Sequence, residues 1–143
     1  MSTKKPSPPP TTLTATCNCA AIQLSVTGID KGSVLCHCSN CRRASGSAFA
    51  YNHRFLPGEL TFAKGEEAIR QYVDTNTKSG NPLERHFCGT CGCPMFMKNP
   101  QFKGLIVLHG GSLEDHRVQP RQELFIEDKR PWVGEVTSKK AKL

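Results

Sequence analysis

The sequence predicts a mainly-β domain built from short antiparallel strands and held together by bound metal. Three observations carry this. Short runs rich in Val, Ile, Leu, Thr and Phe recur along the chain. Gly and Pro punctuate them at close intervals, and only one short stretch has helical character. The eight cysteines gather at tight spacings, whereas a chain of 143 residues can bury a core without crosslinks. Such a pattern belongs to small all-β architectures.

The elements follow in order. Residues 1–12 hold Pro6, Pro8, Pro9 and Pro10 among Ser, Thr and Lys, which is too polar to offset the entropy of ordering, and they read as a disordered leader. The folded domain is expected over 13–136. Thr14 to Val26 alternates at Ile22, Leu24 and Val26 and predicts two short strands around a Cys17/Cys19 turn. Ser33 to Leu35 is a third. Ala48 to Phe55 alternates and predicts another, ended by a Pro57-Gly58 turn. Leu60 to Phe62, Ile69 to Val73, Leu83 to Phe87, Met95 to Lys98, Leu105 to Leu108 and Glu123 to Ile126 complete the set. The helical stretch is Arg42 to Ser45.

The formal charge is +7. Lys4, Lys5, Lys139, Lys140 and Lys142 lie in the two tails. Without them, 14 basic residues face 12 acidic ones over 17–136, a net of +2. A nearly balanced body argues against a dedicated nucleic-acid surface. No apolar run has the length of a membrane span, so no membrane role is expected. The basic tail 137–143 ends in Ala141-Lys142-Leu143, close to a Ser-Lys-Leu peroxisomal address, so the expected location is the peroxisome or the cytoplasm.

The cysteines form three groups: Cys17-x-Cys19, Cys36-x-Cys38-x-x-Cys41 and Cys88-x-x-Cys91-x-Cys93. Without a secretory signal, such spacings point to metal rather than disulfides. Thiolates two or three residues apart converge on one cation, and sulfur donors in fours suit zinc. Two arrangements are open. Cys17, Cys19, Cys88 and Cys91 close one site while Cys36, Cys38 and Cys41 hold a second zinc with one free position. Alternatively, Cys93 or a histidine such as His86 or His109 completes the second site. Three protein ligands mark catalytic zinc and four mark structural zinc. Three thiolates leave the cluster anionic, which suits handling a thiol substrate. Arg42 and Arg43 directly after Cys41 are candidates to attract an anion. His53, on the Phe49/Tyr51/His53 face, and Trp132 are further candidates for substrate contact.

Cys17-Asn18-Cys19, Cys36-His37-Cys38-Ser39-Asn40-Cys41-Arg42-Arg43 with Gly46 beyond, Arg85-His86-Phe87-Cys88-Gly89-Thr90-Cys91-Gly92 and Arg130-Pro131-Trp132 together resemble the glutathione-dependent formaldehyde-activating enzyme family. That family includes the centromere protein V group. The resemblance spans about 15–135. It implies a β-rich zinc fold shared with Rab accessory factors and B-type methionine sulfoxide reductases. It also implies two zincs per chain, structural on Cys17, Cys19, Cys88 and Cys91 and catalytic on Cys36, Cys38 and Cys41. The implied reaction is the carbon–sulfur lyase chemistry of glutathione, or a related thiol, with a small electrophile such as formaldehyde. Other readings are a tailoring lyase on a larger glutathione adduct or natural product, and a zinc-stapled nucleic-acid- or protein-binding module. Two positions depart from the family pattern: Cys93, where Ser is frequent, and Glu123-Leu124-Phe125, where a His is frequent.

Overall fold

The computed structural model describes residues 4–115 and 117–136. The tail 137–143, with its Ala141-Lys142-Leu143 end, lies outside the described residues. Eight strands form one sheet: β1 (Thr11–Thr16), β2 (Gln23–Cys36), β3 (Ala50–Lys64), β4 (Ile69–Asp74), β5 (Leu83–Cys88), β6 (Pro94–Lys98), β7 (Ile106–His109) and β8 (Pro120–Leu124). The strand order is β1-β2-β3-β7-β6-β5-β4, and β8 pairs with β2. Every pairing is antiparallel except β2 with β8. The single α-helix among the described residues, α1 (Ser39–Ser45), sits between β2 and β3. The mainly-β expectation therefore holds.

Four expectations change in detail. β1 begins at Thr11, so Thr11 and Thr12 belong to the sheet and not to the leader. Their pairing with Gly28 and Thr27 satisfies backbone groups that a free leader would leave to water. The expected strands on either side of residues 27–32 merge into one 14-residue strand. Likewise, Pro57-Gly58 does not end a strand but lies inside β3. The reason is mutual: β2 shifts register between Gly28 and Gly32, opposite Pro57 and Gly58. A bulge there accepts a proline that lacks an N–H. Gly28 is required by this close approach, since a Cβ on it would lie 2.1 Å from the Pro57 carbonyl oxygen. The last expected strand moves back to Pro120–Leu124, because Phe125 turns into the left-handed region (φ 54°) and ends it.

The main core follows the expected alternation in the Ile22, Leu24 and Val26 stretch and draws its other members from strands where burial does not alternate. Leu24 and Val26 of β2, Phe55 of β3, Met95 and Phe96 of β6, and Ile106 and Leu108 of β7 bury their side chains together with Ala15 and Ile22. Burying a side chain of this size is worth roughly 1.5–3 kcal/mol. Cys17 and Cys88 belong to the same cluster. Cys36, Cys38, Cys41 and Ala50 form a second, smaller one with Leu124 and Phe125 against it.

His109 ends β7 opposite Asn52 of β3 and is buried. Burial, aided by the charge of Arg85, lowers its pKa to about 4. The folded ring is thus neutral where an unfolded one, with a pKa of about 6.5, would take a proton. Protons then favour unfolding, so the contribution is complete above about pH 6.5 and drains away as the pH falls toward 4. Urea unfolding of the zinc-loaded protein at pH 7 and 4.5 should show wild type losing about 2–3 kcal/mol more than His109→Gln between the two. Equal losses would count against the assignment.

Candidate metal centre

Each cysteine group sits where an element ends and the backbone turns. Cys17 follows β1. Its N–H donates to the Ile22 carbonyl, its carbonyl accepts from the Ala20 N–H, and its Sγ accepts from the Ile22 N–H at 3.2 Å. Ala20 takes φ 60° to make this turn. Cys88 ends β5, and the Gly92 N–H closes the next turn on the Cys88 carbonyl at 2.8 Å with Gly92 at φ 74°. These two knuckles meet, so that the ligand atoms of Cys17, Cys19, Cys88 and Cys91 all lie within 4.8 Å of one another.

The second group is organised by α1. Cys36 ends β2, Cys38 is the N-cap whose Sγ accepts from the Cys41 N–H at 3.4 Å, and Cys41 lies in the first turn. Gly46 closes the helix in the left-handed region with its N–H on the Arg42 carbonyl. The three sulfurs again lie within 4.8 Å of one another, and all three residues are buried.

The sulfur spacings fit zinc. Cys17–Cys19 is 3.6 Å, Cys19–Cys88 is 3.8 Å and Cys36–Cys38 is 3.5 Å. A disulfide would need about 2.05 Å. A tetrahedron of sulfurs each about 2.3 Å from zinc has edges of about 3.8 Å. Crowded thiols also cannot all ionise without a cation. Cys41 is lowered to about 6, chiefly by a hydrogen bond from Cys36 and further by Arg85, while the Cys36 thiol is pushed far up by Cys41 and by burial. Cys91 is lowered to about 6, first by the backbone N–H of Cys93. Both clusters could hold a zinc ion.

No described residue adds a fourth ligand to the Cys36 cluster. Cys93 lies on the other side, against the main core, with its Sγ 3.5 Å from Ser112 Oγ. His86 stacks on Phe96 at 4.3 Å and lines a separate concavity of about 900 Å³ that holds no cysteine. His109 is in neither cluster. His37, between two ligand candidates, instead places Nε2 2.8 Å from Glu123.

The Cys36 cluster lines a cavity of about 160 Å³. Leu124, Phe125, Met97 and Val107 give it apolar walls, and Arg85, Arg54 and Asn52 give it polar ones. Arg85 is buried and its Nε donates to Asp74 at 2.8 Å. Asn40 of α1 donates to the same carboxylate at 3.0 and 3.1 Å, so the helix carrying Cys41 is tied to β4 and β5. Burial opposes the Asp74 charge, but these hydrogen bonds outweigh it and its pKa is lowered.

The other candidates divide. Arg42, Arg43 and Trp132 come together with Arg130 around a surface concavity of about 560 Å³. Arg42 is partly committed, since its Nη1 donates to the His37 carbonyl at 2.6 Å and the Asp128 carbonyl at 2.9 Å. His53 lines neither this concavity nor the cysteine cavity. Its Nδ1 lies 2.6 Å from Ser33 Oγ and its Nε2 3.0 Å from Asp30, which fixes it inside the β2–β3 ladder. Arg85, Asn52 and Arg54 were not singled out from the sequence as site residues. Only Arg85 carried any signal, as part of the segment leading to Cys88.

Removing one cysteine tests the division of labour. Metal analysis of the purified chain should give two zincs, and Cys88→Ala should retain one at most and unfold at low temperature, because a structural zinc contributes roughly 10 kcal/mol or more to folding. Retention of both zincs by Cys88→Ala would sink the assignment.

Residues 12–128 match the family model for the glutathione-dependent formaldehyde-activating enzyme. A Halomonas elongata protein provisionally named as such an enzyme is 28% identical over 127 residues, covering 85% of this chain and 79% of its own length. A crystal structure of a Rhodobacter sphaeroides protein shares the fold with a TM-score of 0.58 at 21% identity, over 77% of this chain and 98% of the other. The chain belongs to the glutathione-dependent formaldehyde-activating enzyme family.

Proposed function

We propose that this chain is a zinc-dependent carbon–sulfur lyase-type enzyme. It reversibly joins glutathione, or a related thiol, to a small electrophilic carbonyl such as formaldehyde. The observation that carries the reading is the Cys36, Cys38 and Cys41 cluster, which offers three sulfurs, not four, and lines a cavity. Cys17, Cys19, Cys88 and Cys91 hold the structural zinc in this reading. Cys36, Cys38 and Cys41 hold the second, which supplies a Lewis-acid position where a thiol is kept deprotonated near neutral pH.

The chain's own groups do the rest. Leu124, Phe125, Met97 and Val107 keep bulk water from the reacting atoms and so strengthen polar contacts inside the cavity. Arg85, fixed by Asp74, offsets the negative charge of the sulfur cluster at Cys41. In the forward direction the thiol sulfur bonds to the carbonyl carbon and the thiol proton ends on the carbonyl oxygen. The size of the cavity, about 160 Å³, favours a small electrophile over a bulky adduct. It admits the reacting end of a tripeptide thiol and leaves the remainder outside. The Arg42, Arg43, Arg130 and Trp132 concavity shares no lining residue with this cavity and is a separate cationic and aromatic surface.

Cys38→Ser tests the reading. Thiol–formaldehyde adduct formation, followed by NMR, should fall at least about 100-fold, while circular dichroism and the Cys88-side zinc are retained. Undiminished activity, or loss of the fold, would refute the catalytic assignment.

A further inference from the structure

Several buried side-chain nitrogen or oxygen atoms lack a well-aligned hydrogen-bond partner among the described residues. Three of them, Asn52 Oδ1, Arg54 Nε and Arg85 Nη2, belong to side chains lining the one cavity beside the Cys36 cluster. Native proteins rarely leave such groups unpaired, and three of them fall on side chains around one cavity. Two of the three atoms are guanidinium donors.

The surrounding charge has one sign. Arg54, Lys78, Arg85 and Lys98 all line the cavity, and no carboxylate does. Arg85 is held by Asp74 through Nε, with Nη1 against Met97 Sδ at 3.2 Å, and the same guanidinium faces the Cys41 thiol whose ionisation it favours. Arg54 is anchored by Nη2 to the Lys31 carbonyl at 3.2 Å. Formaldehyde has one weak acceptor and no charge, so it would leave most of this donor capacity unmet. A carboxylate takes two donors at once, and its charge suits the guanidinium fork.

We propose that the electrophile handled by this cavity carries a carboxylate, and that it is a small 2-oxo acid whose carboxylate is received by Arg54 and Arg85 while its carbonyl faces the sulfur cluster. The proposal rests on the Cys36 cluster being the reacting site. Size supports the class: about 160 Å³ matches some five waters at roughly 30 Å³ each, the scale of a two- or three-carbon acid. Both carboxylates of glutathione lie several bonds from its sulfur, and a cavity of this size does not hold the tripeptide. The reaction balances without a further reactant. The thiol sulfur bonds to the carbonyl carbon, the C=O π pair moves to oxygen, and the thiol proton ends there as a hydroxyl.

The test uses the full zinc-loaded chain with glutathione and either glyoxylate or glycolaldehyde, an uncharged aldehyde of similar size. Wild type should favour glyoxylate in kcat/KM by about tenfold or more, and Arg54→Gln should bring the ratio near one, as expected for loss of a charge-assisted hydrogen bond. Arg54→Lys, which keeps a cation without the fork, should recover part of the preference and carries the test if the Gln variant does not fold. Calorimetry with unreactive oxamate adds a readout independent of turnover: it should bind wild type at least about tenfold more tightly than Arg54→Gln. A wild-type ratio near one, or equal losses on both aldehydes, would overturn the proposal. If the Arg54 effect is the same for glycolaldehyde and vanishes when 2-mercaptoethanol replaces glutathione, the carboxylate belongs to the thiol and the assignment to the electrophile fails. Arg54-dependent oxamate binding without turnover of any carbonyl would support the carboxylate site and defeat the proposed lyase reaction instead. Formaldehyde turnover without oxamate binding would do the reverse.

Discussion

The fold depends on sulfurs brought within bonding range of one cation. Cys17 and Cys19 follow β1, while Cys88 and Cys91 lie at the end of β5, and Cys19 and Cys88 are 69 residues apart in sequence yet 3.8 Å apart at sulfur. β1 and β5 are not neighbours in the sheet, since β2, β3, β7 and β6 lie between them. Their ends can meet only if the sheet coils on itself. A shared cation would turn that meeting from a crowding of thiols into a closed, charge-compensated centre. The main core lies in the same place, with Cys17 and Cys88 packed among Ile22, Leu24, Phe55 and Leu108. Metal binding and core formation are therefore expected to be one event.

The second cluster follows a different logic. Its three sulfurs all come from one short segment, so holding them together asks little of the tertiary structure. What the tertiary structure adds is the surroundings. α1 presents Cys41, and Asn40 beside it reaches Asp74 at the end of β4, which in turn fixes Arg85 on β5. Leu124, the last residue of the parallel strand β8, and Phe125 after it close another wall. Phe125 holds a left-handed backbone at the cavity wall, a conformation costly for a bulky residue and kept where the surroundings fix it. The two clusters thus divide stability from accessibility. The first staples distant strands, and the second leaves a side open to a cavity.

On the proposed reading, charge lets the cavity serve a thiol and an anion together. The sulfur cluster is negative even with a divalent cation bound, which alone would repel an anionic substrate. Four cationic side chains around the same small space reverse that bias. Asp74 holds Arg85, and Glu127 and Asp128 hold Lys78, and none of the three carboxylates lines the cavity.

Much of this was legible in the chain itself. Local spacing placed the cysteines in groups, and alternation placed Ile22, Leu24 and Val26 on a buried face, because both signals are carried by neighbours in sequence. The family resemblance paired Cys17 and Cys19 with Cys88 and Cys91, which the structure then brought within reach of one cation. Strand ends were less legible. Pro57-Gly58 reads locally as a turn, and it is only the matching bulge in β2 that lets β3 run through it. The candidate substrate residues were the least legible. His53 shares an alternating face with Tyr51, yet Ser33 and Asp30 on β2 claim its ring. Asn52, Arg54 and Arg85 come from strands that meet only after folding, and an unpaired donor is a property of its surroundings and not of its residue type. The sequence by itself determined which atoms can bind metal, since donor chemistry and short-range spacing are local. The tertiary structure decided which of those atoms share a centre and what faces the open one, because both depend on how a coiled sheet brings distant strands together.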